Sequence, residues 1–203
     1  SDPDGDYSMI FVYGYYNGST WTFDEFDPND TGMTPEPFAN SGHVLVDGDG
    51  TVHLFLIYSS NPDYYPSVFH YYDAGAGWVG PTLIREETVN PMFMLGSPTV
   101  DAGGIIYIPI SRCDTVGGDL DPPGSMIIYK YEDSTWSVAE TFLCDTGYIA
   151  KATSLIAPSN ASDGFIGVFD YGLVTDAYQW TAEYDPSAML AEVIVATYAL
   201  EFF

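Results

Sequence analysis

Residues 7–26 read YSMIFVYGYYNGSTWTFDEF, and two later stretches repeat their design, PSVFHYYDAGAGWVGPTLI at 66–84 and GSMIIYKYEDSTWSVAETFL at 124–143. Each stretch places a short polar turn between two runs rich in aromatic and β-branched residues, a pattern that indicates a β-hairpin. A tryptophan follows each turn. The recurrence predicts that one antiparallel unit is repeated along the chain.

A second pattern precedes two of these hairpins. SGHVLVDGDGTVHLFLIYSS at 41–60 and GSPTVDAGGIIYIPISR at 96–112 each give a short strand, an Asp-Gly turn and an apolar strand, and a looser copy begins at Ala152. Four strands in about 50 residues is the size of a propeller blade. We therefore predict an all-β fold, a β-propeller or partial propeller of about 3.5 to 4 four-stranded antiparallel blades, in a single domain. The predicted domain covers residues 1–203, with a half unit at 7–27 and units at 38–89, 92–145 and 150–203.

The tryptophan hairpins resemble degenerate Asp-box repeats, the S-x-D-x-G-x-T-W turns of sialidase-like propellers and of many phage and secreted propellers. Asp73, Gly75 and Trp78 carry the likeness in one hairpin, and Ser134–Trp136 carry it in another, where the glycine is missing. In that family the Asp box is structural, so the resemblance implies a fold and no activity. It also implies a location that is extracellular, at the cell surface or on a virion. Hairpin tryptophans of such repeats pack between blades, which is the role implied for Trp21, Trp78 and Trp136.

The charge balance limits the partners. Asp and Glu total 29 against 4 Lys and Arg, which gives a formal net charge of −25. Such a surface repels phosphate backbones, so nucleic acid is not an expected partner. No run of 18 apolar residues occurs, so we predict no membrane insertion. A halophilic habitat, bound divalent cations and a basic partner are three explanations of the acidity, and the sequence leaves them open.

The sequence gives little support for a catalytic activity. A sialidase clamps its substrate carboxylate with three arginines, and this chain has only Arg85 and Arg112. A glycoside hydrolase needs two carboxylates, a requirement that so acidic a chain meets trivially. His53 and His70 lie within apolar strands, where a structural role is favoured over catalysis. We therefore assign no catalytic residue and favour a non-enzymatic role.

Calcium is the one ion that the sequence suggests, and no other cofactor is predicted. Closely spaced carboxylates around glycine turns can supply its hard oxygen ligands. The alternative is that Asp and Gly are simply the residues that tight turns use. The candidate ligands are Asp2, Asp4, Asp6, Asp47 and Asp49.

Aromatic residues give the best argument for recognition, because exposed rings can stack on sugar faces and bury a large area with few rotamers to freeze. Tyr64 and Tyr65, in the loop SSNPDYYPS at 59–67, are the preferred contact residues. His43 and Asp101 lie near the first strand of their units, which usually faces the tunnel of a propeller, and are further candidates. Asp47 and Asp101 have the alternative role of turn formers that accept backbone hydrogen bonds.

The favoured function is a non-catalytic recognition module that binds a glycan or a cell-surface protein. One alternative is a section of a five-bladed glycoside hydrolase, since VDGDGTVHLF at 46–55 and SPTVDAGGIIYI at 97–108 are similar to strand pairs of those enzymes. Another is a structural protein that self-associates through open blade edges. Cys113 and Cys144 are either two free thiols or one disulfide that closes a loop of about 30 residues.

Overall fold

The chain folds into antiparallel β-sheets. A computed structural model describes residues 11–16, 18–27, 41–59, 66–87, 91–116, 119–144, 148–156, 165–173 and 176–184. These residues form fourteen strands and contain no helix. The prediction of an all-β antiparallel fold is confirmed. The strands are β1 (Phe11–Tyr16), β2 (Trp21–Phe26), β3 (Ser41–Val46), β4 (Val52–Ser59), β5 (Pro66–Asp73), β6 (Val79–Glu86), β7 (Met92–Leu95), β8 (Thr99–Val100), β9 (Ile106–Val116), β10 (Asp119–Glu132), β11 (Thr135–Leu143), β12 (Tyr148–Ile156), β13 (Phe165–Leu173) and β14 (Asp176–Tyr184).

The described strands make four sheets. β1 and β2 form a two-stranded hairpin, and β3 to β6 follow one another in a four-stranded sheet. The third sheet has the order β11-β10-β9-β7, with the short strand β8 also pairing with β9. The fourth has the order β12-β13-β14. Within each sheet, strands consecutive in sequence are neighbours, as short connections favour, except that β7 and β8 both pair with β9.

The chain divides into two compact lobes. The first lobe comprises Ser1–Val44 and Thr51–Val89, and the second comprises Leu45–Gly50 and Asn90–Phe203. The predicted limits of the single domain and of its repeat units stay a prediction.

In the first lobe, the hairpin β1–β2 packs on one face of the β4–β5 pair. Residues that alternate along these strands share that face, because successive side chains of a strand point in opposite directions. The resulting core cluster is buried and carries no charged side chain. Its members are Phe26, Leu54, Leu56, Phe69 and Tyr71, with Phe11, Tyr13 and Trp78 packed against it.

In the second lobe, strands β9 and β10 are buried on both faces. Consecutive residues at Ile106–Ile108 and Met126–Tyr129 are buried, which explains why these runs are apolar without alternation. β12 lies against β9 and β10. Both cysteines are buried and form no disulfide. Cys113 belongs to β9 and Cys144 bonds through its backbone N to Gly124 O of β10, so a strand separates them. Two strand spacings make about 10 Å, too far for a disulfide.

Aspartates close the tight turns in one recurring way. Asp73 Oδ1 accepts the backbone N–H groups of Gly75 and Gly77 at 2.7 and 3.0 Å. Asp101 Oδ1 accepts those of Gly103 and Ile105 at 2.8 and 2.9 Å. A carboxylate that accepts the second and fourth N–H after it holds the chain in the reversal that a hairpin needs.

Carboxylates also bind backbone groups along two strands at sheet edges. Asp24 Oδ1, on β2, accepts the backbone N–H of Glu25 at 2.9 Å. Glu140 Oε1, on β11, accepts that of Thr141 at 3.0 Å. In both places an acidic side chain engages the backbone donor of the residue that follows it.

Candidate functional site: an exposed aromatic face

The hairpin β1–β2 presents two chemically different faces. Its register pairs Tyr16 with Trp21 and Gly14 with Phe23. Because the side-chain period of a strand is two, these four residues lie on the same side of the hairpin. We call Tyr16, Trp21 and Phe23 the aromatic face.

The opposite side of the hairpin fixes its orientation. Phe26 contacts Tyr71 and Trp78 with ring centroids 4.7 and 4.8 Å apart, and Tyr13 meets Trp78 edge-on at 5.6 Å. Edge-to-face contacts of this kind add to the burial of apolar area. The hairpin is therefore anchored by one face, and the aromatic face points away from that core.

The aromatic face is open to solvent. Tyr16, Trp21 and Phe23 expose 55%, 62% and 69% of their surface. The Tyr16 and Trp21 rings are 5.6 Å apart, and those of Trp21 and Phe23 are 6.2 Å apart with their planes within 18°. Three large rings in an exposed row form the kind of apolar patch that marks an interaction site on a folded domain.

Glycine at position 14 allows the Phe23 ring to lie flat. A Cβ atom at Gly14 would come within 2.7 and 2.8 Å of two carbons of that ring. Real Cβ atoms do not approach so closely, so any other residue at position 14 would push the ring aside. At the turn, the Tyr16 hydroxyl donates to the carbonyl of Gly18 at 3.0 Å, which holds the first ring of the row.

One carboxylate lies on the same side as the rings. Glu25 is exposed and pairs with Val12, two positions along β2 from Phe23. The neighbouring Asp24 lies on the other side, where it accepts the Tyr13 hydroxyl at 3.2 Å as well as the backbone N–H of Glu25. The face thus offers apolar ring surface with a hydrogen-bond acceptor at one end.

Three cationic side chains that the structure describes are paired with carboxylates. Arg85 pairs with Glu87, which is buried, at 2.6 Å. The other two pairs, also at 2.6 Å, are Arg112–Asp114 and Lys130–Glu132. In each pair the partners are two residues apart. The two strands that carry the aromatic face, β1 and β2, contain no lysine or arginine.

The predicted ligand contacts have different outcomes. Tyr64 and Tyr65 lie outside the described residues. His43 is half-buried on β3. Asp101 is buried, and besides its two turn hydrogen bonds its Oδ2 lies 3.4 Å from the Tyr107 hydroxyl. The alternative role of Asp101 as a turn former is confirmed, and the ligand role of His43 and Asp101 stays a prediction.

The calcium prediction is also open. Asp2, Asp4 and Asp6 lie outside the described residues. Asp47 Oδ1 accepts the backbone N–H of Asp49 at 3.0 Å, which confirms the turn-forming alternative for Asp47. Within the described ranges, no group of three or more His, Cys, Asp or Glu side chains is arranged to hold a metal ion. Those ranges also contain no helix long and apolar enough to cross a membrane.

His53 and His70 form a buried stacked pair, as their structural interpretation predicts. His53 Nδ1 and His70 Nε2 are 2.9 Å apart, and the rings stack within 11°. Phe55 and Tyr72 continue the row of rings on the same face of β4 and β5. Burial, with a smaller contribution from the charge of His53, lowers the pKa of His70 from 6.5 to about 3. His70 is therefore neutral near pH 7 and suits a packed interior.

The sequence did not identify the aromatic face. Packing between blades was predicted for Trp21, and this is wrong, because its side chain is largely exposed. Phe23 and Gly14 were not singled out. The available signal was the parity of the hairpin, which puts Phe23 on the side of Trp21 and Gly14 directly opposite it.

No protein-family model matches the chain, and no curated protein matches it.

Proposed function

We propose that this chain is a non-catalytic recognition module that binds a glycan through the aromatic face. The observation that carries the proposal is the exposure of Tyr16, Trp21 and Phe23 in one row on a hairpin whose other face is anchored in a core. The location that goes with this function is extracellular, at a cell surface or on a virion. A glycan at a cell surface is the partner it would meet there.

The chemistry of the rings supports a sugar as the ligand. The face of an aromatic ring carries partial negative charge and attracts the C–H groups on the apolar side of a pyranose. Aromatic side chains also lose little conformational freedom when a ligand covers them, since they have only two side-chain torsions. Rings stacked as closely as Trp21 and Phe23 lose less still, because each limits the motion of the other.

A propeller arrangement of the sheets belongs to the same proposal. The meander of β3 to β6 supports it, and so does the sheet of β7 to β11, whose first strand is split into β7 and β8. Further support comes from the hairpin β1–β2, which stacks on the next sheet by its face, and from β12, which does so on β9 and β10. An experimental map with sheets arranged around one axis would support the propeller, and two sheets packed face to face in a sandwich would refute it.

A glycan array with matched variants tests the function. We expect Trp21→Ala and Phe23→Ala each to lower glycan affinity at least tenfold, as removal of a central aromatic contact does at other binding surfaces. Leu143→Ala is the control, because Leu143 is the most exposed large apolar side chain described and lies on β11. Wild-type protein that binds no glycan, or that releases sugar from a polysaccharide panel, would contradict the proposal, and release would favour the glycoside hydrolase alternative.

Self-assembly is the second candidate, and one observation favours it. Trp78, which follows the turn of the hairpin β5–β6, is covered by Tyr13 and Phe26 of another hairpin. An aromatic hairpin of this chain can therefore be covered by a β-hairpin. If light scattering shows a mass that rises with concentration in the wild type and not in Trp21→Ala, the aromatic face serves assembly.

Two features favour the glycan over a second copy of the chain. A sheet laid on the aromatic face would strip water from the carboxylate of Glu25, whereas the covered cluster of the first lobe contains no charged side chain. Two copies would each bring a net charge of −25, and their repulsion opposes association. A neutral sugar meets neither obstacle.

A further inference from the structure

We infer that the aromatic face selects uncharged glycans, and that Glu25 is the residue that sets this selectivity by accepting sugar hydroxyls and repelling acidic sugars. The inference rests on the proposed function and names the ligand class of the same site.

Glu25 is placed to touch a ligand that covers the rings. It follows Phe23 by two positions on β2, so both side chains leave the strand on the same side. It is exposed, and its cross-strand partner Val12 is also exposed. A sugar stacked on Phe23 therefore has the Glu25 carboxylate at its rim, where the ring hydroxyls of a pyranose lie.

The carboxylate next to it has a different task. Asp24 accepts the Tyr13 hydroxyl and the backbone N–H of Glu25, on the side of the hairpin away from the rings. These two contacts hold Asp24 to the hairpin itself. Of the two neighbouring acids, only Glu25 shares a side with the rings.

The charge of the chain determines which sugars can approach. Glu25 is two strand positions, or about 7 Å, from Phe23, so a sugar carboxylate or sulfate over Phe23 would lie within one screening length of Glu25, about 8 Å at physiological salt. The chain's net charge of −25 adds to that repulsion, and the arginine and lysine side chains that the structure describes pair with carboxylates. Recognition of an acidic sugar needs a cationic partner such as a bidentate arginine, and none of the described cations lies on β1 or β2.

Hydroxyl groups suit the same carboxylate. An ionised carboxylate accepts O–H donors in hydrogen bonds that are shorter and about twice as strong as neutral ones. A neutral sugar supplies several such donors without a repelling charge. The rings then provide affinity, and Glu25 provides the choice between neutral and acidic ligands.

The test is a glycan array that carries each neutral glycan beside its sialylated, uronate or sulfated counterpart, read at 0.05 M and 1 M NaCl. For wild-type protein we expect neutral members to bind at least tenfold more tightly than their acidic counterparts at the lower salt. This ratio should shrink at the higher salt, because the screening length falls to about 3 Å. A preference that came from shape alone would not change with salt.

Two substitutions at one position sharpen the result. Glu25→Gln keeps an acceptor oxygen and removes the charge, so the ratio should fall about threefold or more while neutral glycans bind within a few-fold of wild type. Glu25→Lys should reverse the preference. Asp24→Asn is the matched control, and it should leave the ratio nearly unchanged. Equal binding of neutral and acidic members by wild type, or a ratio that Glu25→Lys does not move, overturns the inference and leaves the proposed function standing. Absence of all glycan binding, or retention of a protein partner only, overturns both.

Discussion

Two hairpins of the first lobe carry the same motif, but the tryptophan of one is packed in a core and that of the other is exposed to solvent. In β5–β6, Trp78 packs against Tyr13 and Phe26 and helps to close a core. In β1–β2, Trp21 lies opposite Tyr16 in an exposed row. The turn between Tyr72 and Trp78 is one residue longer than that between Tyr16 and Trp21.

The cross-strand pairing differs as well, because four residues separate the paired Tyr16 and Trp21 whereas six separate the paired Tyr72 and Val79. In β5–β6 the residue opposite Tyr72 is Val79, so Trp78 lies on the other side of the hairpin from Tyr72. In β1–β2 the tryptophan itself faces the tyrosine. A shift of one residue in a strand moves a side chain to the opposite face. Turn length therefore helps to decide whether the tryptophan of this motif joins a core or a surface.

The largest expected effect is a difference in stability between substitutions on the buried face and on the exposed face of β2. Phe26→Ala should lower the free energy of unfolding by about 3–5 kcal/mol, because Phe26 is 2% exposed and contacts Tyr71 and Trp78. Phe23→Ala should change it by about 0.5 kcal/mol or less, as exposed positions do. Urea denaturation measures both. Equal losses in the two variants would mean that the aromatic face is covered in solution.

A second, smaller effect concerns the pH dependence of stability. It is caused by His70, whose side chain lies on the face of β5 opposite to those of Phe69 and Tyr71. The folded protein holds His70 neutral, with its pKa lowered to about 3, whereas the unfolded chain binds a proton near pH 6.5. Protonation thus favours unfolding, so the contribution of His70 to stability is complete above about pH 6.5 and is lost progressively as the pH falls towards 3. Between pH 7.5 and pH 5 the loss from this group is about 2 kcal/mol.

Comparison with the variant His70→Phe isolates the contribution of His70 to the pH dependence of stability, since carboxylates elsewhere titrate in both proteins. Thermal or urea unfolding at pH 7.5, 6.5, 5.5 and 5 should show a flatter dependence in the variant than in the wild type over this window. Parallel curves would show that the imidazole is charged in the folded state. The hairpin β1–β2 has no histidine, so its own variants should leave the slope unchanged.

The smallest expected effect tests whether glycine at position 14 is needed for the position of the Phe23 ring. Gly14→Ala places a methyl group where the ring now lies, so the ring must turn and the row of three rings is broken. We expect a loss of glycan affinity of about threefold, with unfolding free energy within about 1 kcal/mol of wild type. Gly14→Ala combined with Phe23→Ala should be no worse than Phe23→Ala alone. A further loss in the double variant would show that Gly14 acts in some way other than through the ring.

The sequence allowed the fold class and the turns to be predicted because both depend on local chemistry. Alternating and continuous apolar runs indicated strands, and Asp with Gly indicated the turns that Asp73 and Asp101 close. The buried state of His53 and His70 followed from the apolar strands that contain them. These are properties of short segments.

The candidate site could not be predicted in the same way. Whether Trp21 is exposed depends on what covers the hairpin, and that is settled by packing between segments distant in sequence. Phe23 and Gly14 become notable only once the register of β1 and β2 is known. Strand register depends on turn geometry together with the pattern of buried residues. A shift of one residue moves each side chain of the strand to the opposite face.

The hydrogen bonds from Glu25 N to Asp24 and from Thr141 N to Glu140 bear on aggregation. A foreign strand that docks on β2 or β11 would have to displace a carboxylate from the backbone donor and then sit beside its charge. Strand edges whose backbone donors are occupied by carboxylates resist the strand-by-strand addition that leads to fibrils. Acidic side chains at such positions therefore oppose pairing of the strand edges, and this effect requires no bound cation.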